Sequence, residues 1–415
     1  MPARSRGARH GSTRACYKST ISSLQIGDTP ALSLVPTQEE TMLRDTVAQI
    51  CKSLGGAEYS RRKRAADEPP TELWDALASR GYLGVNIPEE YDGGGLGMSA
   101  LAMVGEEIAA AGCSLLLIVV SPAIVGSILT RHGTLDQKER WLRGIAAGTT
   151  KVAFAITEPD AGSNSHNIST AARRTNGGYA IRGQKTYISG VEEADAILVV
   201  ARKREEDGSL SLPLLAIVDS DAPGLEKQHI PTVEPGSNKQ WQLFFDDVEV
   251  DADRVIGGET AGLKAAFDGL NPERIMGAAV CNGAARRALE LASAYARERT
   301  VWNAPIGAHQ GISHPLAQAK IELELARLMM RKAATLYDAG MSAAEESNMA
   351  KYAAAEAGIR CVDQAIQTHG GNGFALEYGL TDLYWGVRLV RTAPVSREMI
   401  LNYVAEHSLG LPRSY

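Results

Sequence analysis

What this 415-residue sequence lacks closes off several classes of protein. Its five cysteines (Cys16, Cys51, Cys113, Cys281 and Cys361) are widely scattered, and none belongs to a C-x-x-C pair. That spacing supports neither a zinc site nor a disulfide framework, and it fits a reducing compartment. No G-x-G-x-x-G follows a strand-like run, so a Rossmann dinucleotide site is not supported. The most apolar run, 114–129, is too short to span a bilayer and contains Pro122, so it reads as a buried helix. A net charge of -6 weighs against a nucleic-acid partner, and nothing points to a membrane. No acidic residue precedes Asp28, whereas Arg4, Arg6, Arg9, Arg14 and Lys18 do. With no amphipathic period, 1–36 is expected to be a disordered basic extension of a cytoplasmic bacterial protein. A mitochondrial transit peptide, with a matrix location, and a start assigned too early are the other readings.

What is present falls into blocks of different period. Hydrophobic content of 44% and charged content of 22% are those of a soluble globular protein, long enough for two or three domains. Thr37-Gln38-Glu39-Glu40 has a carboxylate where a capping box needs one, and helical patterning runs on through Leu54. Another helical pattern covers 70–80. The glycine-rich stretch 86–97 reads as a connection without a ligand, and an Ala-rich helical region follows it. Gly133-Thr134 and Gln137 begin one more helix, which Gly148 ends. From Lys151 the period becomes strand-like: 152–156, 179–181, 185–188, 196–201, 213–219 and 241–250 are separated by Gly, Asn, Asp and Pro clusters. Such spacing predicts a small antiparallel barrel or sandwich. From Gly262 the sequence is helical again. The expected division is an extension over 1–36, a helical domain over 37–150, a β domain over 151–258 and a helical domain over 259–415.

The stretch 151–200 organises the rest. The apolar run 152–156 reads as a buried strand, and Glu158-Pro159-Asp160-Ala161-Gly162-Ser163 is a turn cluster that stops it. Thr157, Gly162 and Ser163 place two hydroxyls and a bare backbone at the lip. Exposed N–H groups there suit the edge of a flat heteroaromatic ring, although an ordinary polar hairpin has the same spacing. Thr157-Glu158-Pro159-Asp160-Ala161-Gly162-Ser163, followed by Tyr187-Ile188-Ser189, closely resembles the flavin-binding middle domain of the acyl-CoA dehydrogenases. That family's hallmark is a Thr-Glu-Pro-x-Ala-Gly-Ser turn, then an aromatic-Ile-Thr/Ser strand about two dozen residues later. The helix–sheet–helix order matches too, and the resemblance covers roughly 37 to 415.

The resemblance implies an α+β multidomain fold: an N-terminal helical domain, a middle β-barrel domain and a C-terminal four-helix-bundle domain. It implies FAD as cofactor, with Phe154, Ile156, Thr157, Gly162, Ser163, Tyr187 and Ser189 lining the ring and Ile188 among the cofactor-binding positions. Tyr187 replaces the family's usual Trp, and Ser189 its usual Thr. Arg299-Thr300-Val301-Trp302 occupies the family's Arg-x-x-Phe position, with Gln310 after it. An Arg there pairs with the cofactor pyrophosphate; without that context it reads as a helix-terminal surface residue. In Gln367-Thr368-His369-Gly370-Gly371-Asn372-Gly373-Phe374, the paired glycines admit a diphosphate or adenosine close to the backbone, and His369 reads as packing. In the family, residues matching Arg299, Gln310 and Gln367 to Gly371 reach the flavin of a neighbouring subunit, which implies a homotetramer. Ser396 and Glu398 match positions on the adenosine side, and Ser163, Asn271 and Arg274 positions near the thioester–pantetheine arm.

Most members carry the catalytic Glu about 20 residues after the Gly-Gly-Asn-Gly-Phe motif. Counted from Phe374, that position is Pro394, so the usual base is missing. Isovaleryl- and long-chain-type members carry it on an earlier helix, often before Arg, and here Asn271-Pro272-Glu273-Arg274 stands there. Taken alone, Asn-Pro-Glu is a good helix start. With the other position vacated, Glu273 is the candidate base. The family's carbonyl-polarising N–H falls on Pro394, which has none, so a shifted loop with Val395 as donor is expected. The implied activity is oxidation of an acyl-CoA to the trans-2-enoyl-CoA, as in fatty acid β-oxidation, with an electron-transfer flavoprotein as acceptor. A flavin monooxygenase or oxidase of this fold, and a dehydrogenase acting on carrier-bound acyl groups, are the alternatives. A non-catalytic scaffold is disfavoured by Arg299, Gln310 and the Gly370-Gly371 turn.

Overall fold

The computed structural model describes residues 35–233, 239–260 and 262–414; the expectations for Cys16 and for nearly all of 1–36 lie outside them. The first block comprises α1 (Gln38–Leu54), α2 (Ala57–Ala65), α3 (Thr71–Ala78), α4 (Gly97–Ala110), α5 (Gly126–His132) and α6 (Leu135–Ala147). α1 starts on the expected capping box: the Glu40 N–H donates to Thr37 Oγ1, and the Thr37 N–H donates to the Glu40 carboxylate. α6 repeats the device with Thr134 and Gln137, and ends on Gly148 in the left-handed region. Of the run 114–129, residues 117–129 are helical and buried, with a π-helical segment, Val119–Val125, around Pro122. Proline offers no N–H and crowds the preceding turn, so the helix widens there.

The middle block holds β1 (Val152–Ala155), β2 (Ala171–Arg174), β3 (Gly178–Ser189), β4 (Ala196–Arg204), β5 (Leu210–Asp219), β6 (Leu225–Ile230), β7 (Gln240–Asp251) and β8 (Val255–Ile256). They form one sheet in the order β6-β7-β3-β2-β4-β5-β8, with β1 beside β4. β1 and β2 both run parallel to β4, which corrects the expectation of a purely antiparallel arrangement. Ala155 pairs with Val199 and Ala171 with Arg202, so β2 resumes the course of β1 after the chain has left the sheet and returned. The two strands expected at 179–181 and 185–188 are one, β3, whose register against β7 breaks between Ile181 and Gly183 and between Lys185 and Ile188. β6 was not legible, because it is an edge strand with an almost wholly exposed, polar sequence. Ile181, Val199, Leu214, Leu243 and Val248 share one apolar cluster, so the sheet rolls around a core of its own.

The last block comprises α7 (Gly262–Glu298), α8 (Gln310–Asp338), α9 (Ala344–His369), α10 (Leu380–Thr392) and α11 (Arg397–Tyr403). A second, larger apolar cluster runs from Val47 in α1 through Leu101 in α4 and Leu198 in β4 to Met276 in α7 and Val362 in α9. The three blocks therefore share a core. Among the described residues no helix is long and apolar enough to cross a membrane. α4 and α7 pack backbone to backbone at Gly283, where a Cβ would lie 2.2 Å from the Glu106 carbonyl oxygen. Gly283→Ala is expected to force the helices apart and lower stability by about 1–3 kcal/mol, the usual range for overpacking. Thermal unfolding measures it, and an unchanged Tm would show that the contact yields freely.

Candidate active site

Where the blocks meet lies a cavity of about 2340 Å³. One face of α7 runs along it, with side chains three or four positions apart as helical geometry requires: Lys264, Asp268, Asn271 and Arg274, then Gly277, Val280 and Ala284. The first part of that face mixes these charged and polar groups with Phe267 and Leu270, and the second is apolar throughout. Gly105, Ile108 and Ala109 of α4, with Leu116, Val119 and Val120 of the following helix, add to the apolar wall. At the polar end, His132 Nε2 lies 2.7 Å from the Asp268 carboxylate. Such a gradient suits a ligand with a polar head and an apolar tail.

The lip of β1 forms another part of the wall. The Glu158 and Ala161 backbones bond each other reciprocally across Pro159-Asp160, at 3.2 and 3.1 Å, which closes the turn tightly. Gly162 and Ser163 are then exposed, and their N–H groups donate to nothing among the described residues. A Cβ on Gly162 would meet no atom within 4 Å, so the backbone stands open to a ligand. The second register break of β3 carries Tyr187 into the left-handed region, φ 56°, with 62% of its surface exposed. A bulky residue held there is strained, and strain of that kind clusters at ligand sites. The Thr186 N–H donates to the Thr157 carbonyl at 2.9 Å, locking the bulge to the turn. Ser189 Oγ pairs with the Gln240 side-chain amide at 3.1 and 3.0 Å. Thr157, Gly162, Ser163, Tyr187, Ser189 and half-buried Ile156 all line the cavity. Phe154 and Ile188 do not: both are buried, and the Ile188 side chain packs into the sheet interior. At this bulge, strand alternation fails as a guide to which side a residue faces.

Behind the lip sits a pair that the motif reading left without a role. Lys185 Nζ donates to Glu158 Oε1 at 2.8 Å and to the Ile156 carbonyl at 2.9 Å. Glu158 also accepts from the Ser169 and Thr170 N–H groups, at 2.6 and 2.9 Å. Burial raises the Glu158 pKa, but the Lys185 charge and these hydrogen bonds outweigh it and hold the carboxyl at about 2. Burial dominates for Lys185 and lowers it to about 8. The available signal was a lysine at an inward-facing position of a strand.

Glu273 stands where the α7 face changes from polar to apolar. It accepts no hydrogen bond and forms no ion pair among the described residues. Removal from water raises its pKa to about 7, against the opposing pull of the Arg274 and Lys351 charges. Arg274 Nη1 donates to Asn271 Oδ1 at 3.1 Å, while its buried Nε has no acceptor. The loop 393–396 completes this wall, beginning with a cis Ala393–Pro394 peptide. The Val395 N–H donates to nothing among the described residues. Ser396 caps α11 by accepting from the Met399 N–H at 3.3 Å, and Glu398 is exposed and does not line the cavity.

Comparison with known proteins agrees with this geometry. The family descriptions of the acyl-CoA dehydrogenase N-terminal, middle and C-terminal domains match residues 37–149, 153–248 and 260–409. The chain belongs to the acyl-CoA dehydrogenase family. It is 54% identical over 385 residues to the acyl-CoA dehydrogenase FadE12 of Mycobacterium tuberculosis, covering 92% of this chain and 99% of that one. Among solved structures it resembles butyryl-CoA dehydrogenase from Megasphaera elsdenii, with TM-score 0.85, 25% identity, and coverage of 91% and 100%. It also resembles a glutaryl-CoA dehydrogenase from Mycobacterium smegmatis in complex with FADH2, with TM-score 0.84, 25% identity, and coverage of 94% and 98%. Acyl-CoA dehydrogenases are flavoprotein oxidoreductases acting on CH–CH groups, and the cofactor is FAD. The open Gly162-Ser163 backbone and the exposed Tyr187 ring fit a flavin.

The remaining motif residues of this acyl-CoA dehydrogenase lie elsewhere. Arg299, Trp302, Gln310, Gln367, Gly370 and Gly371 are all exposed, and none lines the cavity. At 1.5 Å rise per residue, Arg299, just past the end of α7, lies about 39 Å along the helix from Glu273. Trp302 keeps 87% of its surface exposed. His369 is buried, its ring stacked on Tyr295 at 4.3 Å with Nδ1 2.8 Å from the Ala365 carbonyl, so its reading as packing stands.

The lip's support can be tested through its ion pair. Lys185→Met should leave the Glu158 carboxylate buried without its cation and cost about 3–5 kcal/mol. Because the folded Glu158 carboxyl sits at about 2 rather than 4.5, its contribution to stability is full above about pH 5 and drains as pH falls toward 2. The variant should therefore lose less stability than the wild type between about pH 5 and pH 2 in unfolding titrations. An equal loss in both would show that Lys185 does not hold this carboxyl.

Proposed function

We propose that this protein oxidises an acyl-CoA to its trans-2-enoyl-CoA, with Glu273 as the base. The observation that carries the reading is the unpaired Glu273 carboxylate on the cavity wall, with a pKa of about 7. A thioester carbonyl acidifies the adjacent C–H, and a base with a pKa near working pH removes that proton most effectively. The polar half of the α7 face, Lys264 to Asn271, receives the CoA arm, and the apolar half beyond Glu273 receives the acyl chain. Bound FAD supplies the acceptor for the β hydride. Negative charge develops on the thioester oxygen as the α proton leaves. Pro394 has no N–H to offer it, whereas Val395 has one without a partner. An electron-transfer flavoprotein is the acceptor implied by family membership.

Within one chain, Glu273 and Arg299 are too far apart to serve one flavin. We read the exposed Arg299, Trp302, Gln310, Gln367, Gly370 and Gly371 as the contribution of one subunit to the cofactor of another, in a homotetramer. Arg299→Ala is expected to loosen FAD and assembly together, measured by the flavin-to-protein absorbance ratio and by sedimentation. A wild type that stays monomeric while saturated with FAD would remove this assembly reading.

For the base, Glu273→Gln keeps the shape and removes the proton acceptor. FAD should stay bound, and its anaerobic reduction by acyl-CoA should fall about 10²–10⁴-fold. In the wild type the base must be deprotonated, so reduction should rise with pH through about 7. Reduction of the Gln variant at the wild-type rate would place the base elsewhere.

A further inference from the structure

Behind the cavity wall, α9 carries Lys351, to which no motif assigned a role. Its side chain is fully buried and does not line the cavity. Nζ donates to the Val395 carbonyl and meets no other acceptor among the described residues. Proline fixes its own φ at position 394, and the lysine holds the carbonyl of residue 395. The lysine thus anchors the loop one peptide beyond the Val395 N–H, which donates to nothing among the described residues.

The charged and titratable groups facing Lys351 come from two neighbouring elements: Glu273, Arg274 and Cys281 on α7, and Glu398 on α11. Burial lowers the lysine to about 8 and Arg274 acts the same way, while Cys281, Glu273 and Glu398 oppose them. The ammonium is thus charged at neutral pH, and its field favours the ionised form of Glu273. A buried cation is expensive to desolvate, and an apolar residue of similar volume would fill the space at less cost. Packing therefore does not account for it.

We propose that Lys351 is a positioning residue for the dehydrogenation: from behind the wall it clamps the Val395 carbonyl, leaves the Val395 N–H available to the thioester oxygen, and faces the Glu273 carboxyl with a cation. It never touches substrate. The inference rests on the reading of Glu273 as base and extends it to a residue outside the cavity.

The test compares flavin-loaded wild type with Lys351→Met, Lys351→Gln and Lys351→Arg. In single-turnover anaerobic reduction by an acyl-CoA, Met and Gln should slow reduction about 10- to 100-fold, less than the roughly 10²–10³ of a lost oxyanion donor, with acyl-CoA binding retained. Their pH profiles should move up by about one pH unit, the lower end of what a neighbouring charge supplies, while Arg restores both quantities. A readout independent of turnover is the infrared carbonyl stretch of protonated Glu273, identified by its absence from Glu273→Gln. Its titration midpoint should rise in Met and Gln and return in Arg.

Met and Gln variants that lose only thermal stability, with unchanged pH profile and infrared midpoint, would overturn the proposal. So would failure of both to fold with FAD, which would make the lysine a folding requirement instead. If Glu273→Gln reduces its flavin normally, the base reading itself fails. If that variant is inactive and Lys351→Met leaves the midpoint in place, only the role of the lysine fails.

Discussion

The lip proposed to receive the flavin depends on the contact between Glu158 and Lys185. The two charges are buried, and the carboxylate gathers donors from three separate segments: Lys185 on β3 and the Ser169 and Thr170 backbones before β2, all brought to the turn after β1. A buried pair of this kind adds little net stability, because desolvation takes back most of the Coulomb gain. What it fixes is position. With Glu158 anchored, the Pro159-Asp160 turn can close on itself and leave Gly162 and Ser163 facing the cavity with free N–H groups. With Lys185 anchored inward, β3 must accommodate the residues that follow it in a bulge, and Tyr187 is thrown outward in a backbone conformation it would not otherwise adopt.

α7 performs a second positioning task over a much longer distance. Its first half lines the cavity, and its close approach to α4 at Gly283 sets how near the apolar wall can come. Its far end delivers Arg299 to an exposed patch together with Gln310 and the Gly370-Gly371 turn. A rigid helix of 37 residues cannot fold back to bring both ends to one ligand. Under the proposed assembly, one element carries residues for two different cofactor sites, which would tie cofactor binding to association between copies of the chain.

With Glu273 as the proposed base, a carboxylate changes its place without the chemistry changing. A carboxylate must approach the α carbon, but helix and loop are both able to present one. Pro394 stands on the loop, at the position where the resemblance puts the usual Glu, and it brings neither a carboxylate nor an N–H. Glu273 is presented by the helix, in a setting that keeps it free of partners and raises its pKa toward neutrality. The Val395 carbonyl of that loop accepts from a lysine that lies outside the cavity.

Much of this was legible in the sequence, for local reasons. The capping boxes at Thr37 and Thr134, the turn from Thr157 to Ser163 and the change of period at Lys151 are set by neighbouring residues within a few positions, so composition and spacing reveal them. The candidate base was legible as well, though only as a choice between two positions set by resemblance. Tertiary structure alone decided the rest. The parallel pairing of β1 and β2 with β4, the inward turn of Ile188 and the outward turn of Tyr187 depend on register across strands, which one bulge is enough to reverse. The pKa of Glu273, the ion pair behind the lip and the grip of Lys351 on Val395 arise from burial and from partners distant in the chain. Such partners leave no trace in local spacing, because electrostatics in the interior depends on what packs around a group rather than on what precedes it.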